Sequence, residues 1–236
     1  MKSIVTPKLG ELLGFDLETT GVNRFFDVPV SYALITSREM VVTERVAGIV
    51  DPGRDIPSGA TSVHGISSDR ARREGIALSD AVQILVDKLV SASERGIAVV
   101  GMRVDYDLTI VDVQAKKFLG MGLADLGWHG PVLDVSVLDR HFDKFRKGSR
   151  TLGQLCAHYS VPMVNAHDAT ADAQAALDVF GSLSIRYPEV AKMSLEELYA
   201  SQMEWHRQWA SSYDLWRTKR NLKPMDPRDY VWPIAS

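Results

Sequence analysis

Residues 14–21, Gly-Phe-Asp-Leu-Glu-Thr-Thr-Gly, place two carboxylates in a strand of otherwise apolar character. Leu12, Leu13 and Phe15 lead in, and Thr19-Thr20-Gly21 close the stretch as a turn. Side chains at i and i+2 of a strand point to one face, so Asp16 and Glu18 project together, their Cα atoms roughly 7 Å apart. Two desolvated carboxylates without a positive partner are costly. Such a strand is therefore either an edge with a solvated acidic face or a buried strand converging on a cation. For ligands that are all oxygen, the matching cation is hard and divalent, such as Mg²⁺ or Mn²⁺.

The rest of the chain reads as α/β. Pro29–Thr36 and Met40–Val50 are apolar and β-branched with a short polar break, a hairpin signal. Residues 51–59 form a loop, and 62–67 a short helix or turn. From Leu78 to Ser93, apolar residues recur at 78, 81, 82, 85, 86, 89 and 90, the spacing of an amphipathic helix with Ser79 as its N-cap. Ile97–Gly101 and Val132–Val137 read as buried strands. Tyr106–Leu119, Thr151–Tyr159 and Ala169–Ile185 read as helices. A meander followed by this alternation predicts an α/β fold: a mixed five-stranded sheet flanked by helices, the Asp16 strand near its middle. With 236 residues, 45% of them hydrophobic, one substantial core is expected over 1–190. Residues 191–236 read as a C-terminal helical extension and tail.

Charge and cysteine content set limits. A net charge of −3 gives no global basic character, so any nucleic-acid contact must come from a local basic patch. The single cysteine, Cys156, excludes an intramolecular disulfide. The N-terminal residues lack a long apolar core, and no run approaches 18 apolar residues. A soluble cytoplasmic protein that uses no membrane is the expectation.

Two further acidic features follow. In Arg103-Val104-Asp105-Tyr106-Asp107, a strand ends and a helix begins. Carboxylates in a first helical turn cap the helix dipole. Alternatively, Asp107 sits at the carboxyl end of its strand, where open α/β sheets place their sites. In Asn165-Ala166-His167-Asp168-Ala169-Thr170-Ala171-Asp172-Ala173, His167 and Asp172 are five apart, about 140° around an ideal helix. They meet only if His167 lies in the entering loop. The alanines around Asp172 let the helix lie close to a sheet. The other reading makes His167 and Asp168 capping residues and leaves Asp172 solvated.

Taken together, Asp16-x-Glu18, Tyr106-Asp107 and His167-x₄-Asp172 resemble the DEDDh branch of the DnaQ-like 3′-to-5′ exonucleases, similar to proofreading subunits of bacterial replicative polymerases. The resemblance covers about residues 11–186, with Val63-His64-Gly65-Ile66 and Thr151-Leu152 to Cys156 as smaller matches. It implies a ribonuclease H-like fold. One departure stands out: the family usually carries Asn four residues before the second-motif Asp, often preceded by His, and here those positions are Arg103 and Met102.

The resemblance also implies a mechanism. Two Mg²⁺ or Mn²⁺ ions are held by Asp16, Glu18, Asp107 and Asp172, with Asp16 bridging. His167 is the general base, histidine being the side chain that titrates near neutrality. Leu17, Thr19 and Thr20 are the candidates to hold the terminal nucleoside, although burial of Leu17 in the core is nearly as strong a reading. His64 approaches the terminal base or fixes its turn. Arg103 reaches a substrate phosphate or a neighbouring acid such as Asp105.

Arg140 to Arg150 is the densest basic stretch, with interleaved aromatics, and reads as a strand contact or as a solvated loop. Trp205, Trp209, Tyr213 and Trp216 make one stripe of a long C-terminal helix. That stripe is expected to pack on the domain or on a second copy in a homodimer rather than to stack on bases. The leading expectation is a 3′-to-5′ exonuclease on single-stranded or frayed DNA, with nucleic acid bearing a free 3′ end and a DNA polymerase as partners. An exoribonuclease on RNA ends or short oligonucleotides is the runner-up. A non-catalytic 3′-end or partner-binding module is the reading from another class.

Overall fold

A computed structural model describes residues 10–163 and 167–235. Residues 1–9, Asn165 and Ala166 of the third stretch, and Ser236 lie outside the described residues. In chain order the elements are β1 (Glu11–Thr19), β2 (Pro29–Arg38), β3 (Val41–Asp51), α1 (Ser58–His64), α2 (Ser68–Glu74), β4 (Ile76–Ala77) and α3 (Leu78–Glu94). Then come β5 (Ala98–Gly101), α4 (Val104–Leu119), β6 (Val132–Asp134), α5 (Val135–Phe142), α6 (Leu152–Tyr159), α7 (Ala169–Arg186), α8 (Pro188–Lys192) and α9 (Leu195–Thr218), before a short 3₁₀ turn at Pro227–Tyr230.

The sheet order is β4-β3-β2-β1-β5-β6, with β1 interior. The expected five strands become six. The extra one, β4, is two residues long and pairs parallel with Val50 and Asp51, too short to leave a periodic signature. The meander is antiparallel, whereas β5 and β6 run parallel to β1.

Alternation along β1 feeds two cores. Leu13, Phe15 and Leu17 pack on the side of α3 and α4, whereas Leu12 packs on the side of α7. Gly14, Asp16 and Glu18 share the face of Leu12. Gly14 is what lets α7 approach: a Cβ there would lie 2.7 Å from Leu177 Cδ1 and 2.9 Å from the Ala173 carbonyl oxygen. One wall is helix backbone, so the helix itself must move. Gly14→Ala is therefore expected to cost about 1–3 kcal/mol by overpacking. A urea denaturation series checks it, and an unchanged midpoint would show that α7 can yield.

Some boundaries shift. The 132–137 strand stops at Asp134, whose side chain accepts from the Ser136 and Val137 N–H groups and starts α5. Helix α3 begins at Leu78 without a side-chain cap. Ser79 donates instead to Asp80. Helix α9 begins with a capping box between Ser194 and Glu197.

The C-terminal helix rests on the sheet's β6 edge. Buried Gln202 accepts from the Asp134 N–H and donates to the Val132 carbonyl, in effect pairing with the strand edge. Trp205 stacks on His141 at 3.7 Å. The tail returns to the domain: Trp232 is buried in the β1/α4 core, and the Ala235 N–H donates to Thr109 Oγ1. Arg24 bridges Asp105 at 2.8 Å and Asp229 at 2.9 Å. Among the described residues, no helix is long and apolar enough to cross a membrane.

Candidate active site

Strand β1 outruns its parallel neighbour. It pairs with β2 along its whole length but with β5 only at Leu12, Leu13 and Gly14. Asp16 and Glu18 thus project beyond the carboxyl end of β5, into the opening that such sheets leave. Helix α4 starts three residues past β5 and brings Asp107 to that opening from one face of the sheet. Helix α7 brings Asp172 from the other. Asp107 and Asp172 are both buried, and each raises the pKa of Asp16 by its charge.

His167 lies in the loop entering α7, one residue before the N-cap Asp168, with its backbone in the left-handed region (φ 68°). Its N–H donates to Asp172 Oδ2 at 3.3 Å. A nitrogen of its ring and carboxylate oxygens of Glu18 and Asp172 lie within 4.8 Å of one another. The loop position, not the helix, solves the 140° problem. Asp168 has the capping role, accepting from the Thr170 and Ala171 N–H groups.

Among the described residues, no lysine or arginine forms an ion pair with Asp16, Glu18, Asp107 or Asp172, and Asp172 Oδ1 is buried without a hydrogen-bond partner. Burial foremost, then Asp107, Asp172 and Glu18, holds Asp16 well above the usual carboxylate range. Burial and then Asp105 do the same for Asp107. Burial, then Asp172 and Asp168, pushes Glu18 to about 7. Burial raises Asp172 against the opposing pull of His167. An all-oxygen set of convergent, unneutralised carboxylates fits a hard divalent cation.

A stability consequence follows from linkage. The folded state holds these protons more tightly than the unfolded chain. In metal-free buffer their contribution to stability is full below the ordinary carboxylate values and is lost as pH rises through about 7, where Glu18 ionises. Millimolar Mg²⁺ is expected to reverse the loss at pH 8 by binding the folded state. Melting curves at pH 5 and pH 8, with Mg²⁺ or chelator, check this. A chelated protein equally stable at both values would contradict it.

Beside the acids lies a cleft of about 690 Å³, between the end of β1, α1 and the start of α4. Leu17, Thr19, Thr20, His64 and Arg103 all line it. Leu17 also packs in the core, so its two readings coexist. The Thr19 hydroxyl donates to the Gly21 carbonyl at 2.7 Å. The Thr20 hydroxyl is turned inward, donating to Asp27 and accepting from the Val28 N–H. Nδ1 of His64 accepts from the Ile66 N–H and fixes its turn, while Nε2 is buried without a partner.

Arg103 adopts the left-handed conformation (φ 55°) and its N–H donates to Asp134. That conformation favours asparagine, which accounts for the residue usual there in the resembled family. Asp105 is held by Arg24, so the Arg103 side chain is left exposed to the cleft.

Two supporting residues escaped the sequence reading. The Tyr106 hydroxyl donates to the Gly21 carbonyl at 2.5 Å and lies 3.3 Å from Thr19 Oγ1, tying α4 to the turn after β1. Asp27 gathers Thr20 and the Asn23 N–H. Tyr106 stood within the second motif and was the available signal. Asp27 had none. The basic stretch also reads differently: Arg146 and Arg150 both pair with the fully buried Asp139, closing the loop onto α5.

A family model described as Exonuclease (RNase_T) matches residues 13–180. The chain belongs to this exonuclease family. The resemblance to DnaQ-like exonucleases is thereby borne out. The PolC-type DNA polymerase III of Caldanaerobacter subterraneus subsp. tengcongensis is 24% identical over 195 residues, which are 83% of this chain and 13% of that protein. Its counterpart from Lacticaseibacillus paracasei is 27% identical over 165 residues, 70% of this chain and 11% of that one. The exonuclease-family chain thus spans a small part of these curated relatives.

Among solved structures, E. coli exonuclease I in complex with a dA16 oligonucleotide superposes with a TM-score of 0.69 at 19% identity, covering 84% of this chain and 44% of that one. The exonuclease I of Methylocaldum szegediense gives 0.65 at 20% identity, covering 77% and 42%. These likenesses establish the ribonuclease H-like exonuclease fold.

Proposed function

We propose that the protein is a metal-dependent 3′-to-5′ exonuclease acting on single-stranded or frayed DNA ends. The observation that carries this reading is the convergence of Asp16, Glu18, Asp107, Asp172 and His167 at the open end of β1, with no lysine or arginine among the described residues paired to the four carboxylates. Asp16, Glu18, Asp107 and Asp172 would hold two Mg²⁺ or Mn²⁺ ions, which supply an activated water and neutralise charge on the leaving oxygen. His167 takes the proton of the attacking water at a ring nitrogen. The loop position leaves that ring exposed, so the proton can pass on to solvent.

Leu17, Thr19 and Thr20 form the seat of the terminal nucleoside, Thr20 through its backbone and the shape of its turn. His64 buttresses the seat. Arg103 meets a backbone phosphate. In this reading the exonuclease domain spans 1–190 and the helical extension 191–236. DNA is favoured over RNA because the relatives include PolC-type DNA polymerases and exonuclease I bound to a deoxyoligonucleotide. A DNA polymerase is the proposed partner on the same ground.

The test is a comparison of degradation rates on single-stranded DNA and RNA of one sequence, with Mg²⁺, Mn²⁺ or chelator. Faster loss of DNA supports the proposal. Faster loss of RNA replaces it with an exoribonuclease. Tight binding of both without digestion leaves a 3′-end-binding module.

A further inference from the structure

The outer half of α9 carries the rest of the aromatic stripe beyond the contact at Trp205. Trp205 packs on the domain, Trp209 and Tyr213 are half-buried, Trp209 lying over Arg140 of α5, and Trp216 is 43% exposed. The three rings form a near-parallel ladder, with centroids 5.3 Å and 5.5 Å apart and planes inclined by 10° and 14°. Each ring carries a guanidinium: Arg140 lies 4.1 Å from the Trp209 centroid, Arg217 5.7 Å from Tyr213, and Arg220 4.3 Å from Trp216.

Below the ladder runs a second cleft, of about 610 Å³. Its cations are Arg24, Arg103, Arg140, Arg217 and Lys223. Its acids are largely neutralised: Asp105 and Asp229 pair with Arg24, and Asp226 pairs with Arg228. Arg103, Arg140, Arg217 and Lys223 make no ion pair among the described residues, and Nε of the largely buried Arg140 has no hydrogen-bond partner. In a chain of net charge −3, five cations against three acids in this lining is a local cationic excess, with the buried Asp134 and Asp105 carboxylates facing Arg140 from beneath. Arg103 lines both this cleft and the one beside the carboxylates, so the two adjoin at that residue.

We propose that the ladder of Trp209, Tyr213 and Trp216, with the cationic cleft beneath it, is a track for single-stranded nucleic acid leading away from the active site. It holds the strand on the 5′ side of the scissile phosphate, bases against the aromatic ladder and phosphates against Arg103, Arg140, Arg217 and Lys223. The direction of the track rests on the exonuclease reading. Sequence-independent strand binding takes this form, stacking platforms beside a positive groove. A duplex offers no free base faces to the ladder. A second copy fits poorly, because a two-fold contact would set these unpaired cations against themselves.

The test compares wild type with Trp216→Ala/Lys223→Ala, two exposed positions outside the core. The probes are labelled oligothymidylates of about 3 and about 20 nucleotides, and an oligouridylate of about 20. For the long thymidylate, KM is expected to rise about tenfold or more at unchanged kcat, since one lost stacking contact suffices for that. The trinucleotide, too short to reach the ladder, is expected to be degraded as before. Anisotropy in chelator reads binding without hydrolysis and should show the same loss, with a shallower salt dependence. Trp216→Phe should restore most of the affinity.

The uridylate arm decides whether the track also takes RNA. Unchanged affinity for the long strands in the folded double variant would overturn the proposal. So would a wild-type dimer that the variant dissociates. Chelator-independent binding that the variant loses, with no digestion by wild type, would keep the track and remove the exonuclease reading beneath it.

Discussion

Asp16→Asn is expected to lower Mg²⁺-dependent digestion of a single-stranded oligonucleotide by about a thousandfold or more while raising the melting temperature of the metal-free protein. Both effects have one cause. Asp16 sits among Asp107, Asp172 and Glu18, and burial with their charges holds its pKa well above the usual range. An uncharged isostere removes a repelling, desolvated carboxylate, which stabilises the empty site. The same change removes a central ligand for the divalent ions on which hydrolysis would depend. A gain of about 1 kcal/mol moves the midpoint by roughly 2–4 °C at this chain length. Calorimetry in chelator and an end-labelled digestion read the two effects separately. Full activity in the variant would remove Asp16 from the chemistry. Lower stability in chelator would contradict a repelling carboxylate at position 16.

His167→Ala is expected to lower kcat at neutral pH by about 10²- to 10⁴-fold, the range of a lost general base, with KM little changed. The residue precedes α7 and is exposed, so its loss opens no cavity in the core. Its N–H bond to Asp172 is a backbone bond and survives the substitution, provided alanine tolerates the positive φ. His167→Gly separates these contributions: glycine accepts that conformation freely, so equal losses in both variants isolate the ring. Raising the pH should recover part of the rate in either variant, because hydroxide replaces the missing base. Activity equal to wild type at pH 7 in both would exclude the assigned role.

How much of this was legible depends on the kind of signal. Asp16 and Glu18 could be read as a pair because strand side chains at i and i+2 share a face. His167 and Asp172 could be paired only by supposing a loop, and the N-cap at Asp168 supplies it. The antiparallel meander and its passage into parallel strands were plain from β-branched runs and intervening helices. What stayed hidden was set by contacts distant in sequence. Strand β4 exists because Gly75 brings the chain against Val50, a closeness that a Cβ at 75 would block. The basic stretch of residues 140–150 reads as a strand contact or a solvated loop, and a third role emerges for two of its arginines, Arg146 and Arg150, which buried Asp139 claims. No local pattern reveals that Asp139 is buried. The aromatic stripe reads as a single surface, but burial along α9 ends at Ala210, which divides the stripe between packing at Trp205 and exposure at Trp216.

The central claim, that these four carboxylates hold metal at a site that shortens strands from the 3′ end, is tested most directly with wild-type protein and a single-stranded DNA labelled at its 5′ end. With Mg²⁺ a ladder of labelled products that shortens one nucleotide at a time is expected, and complete protection when the metal is chelated. Immediate release of the label as a mononucleotide, or an undiminished ladder in chelator, would contradict it.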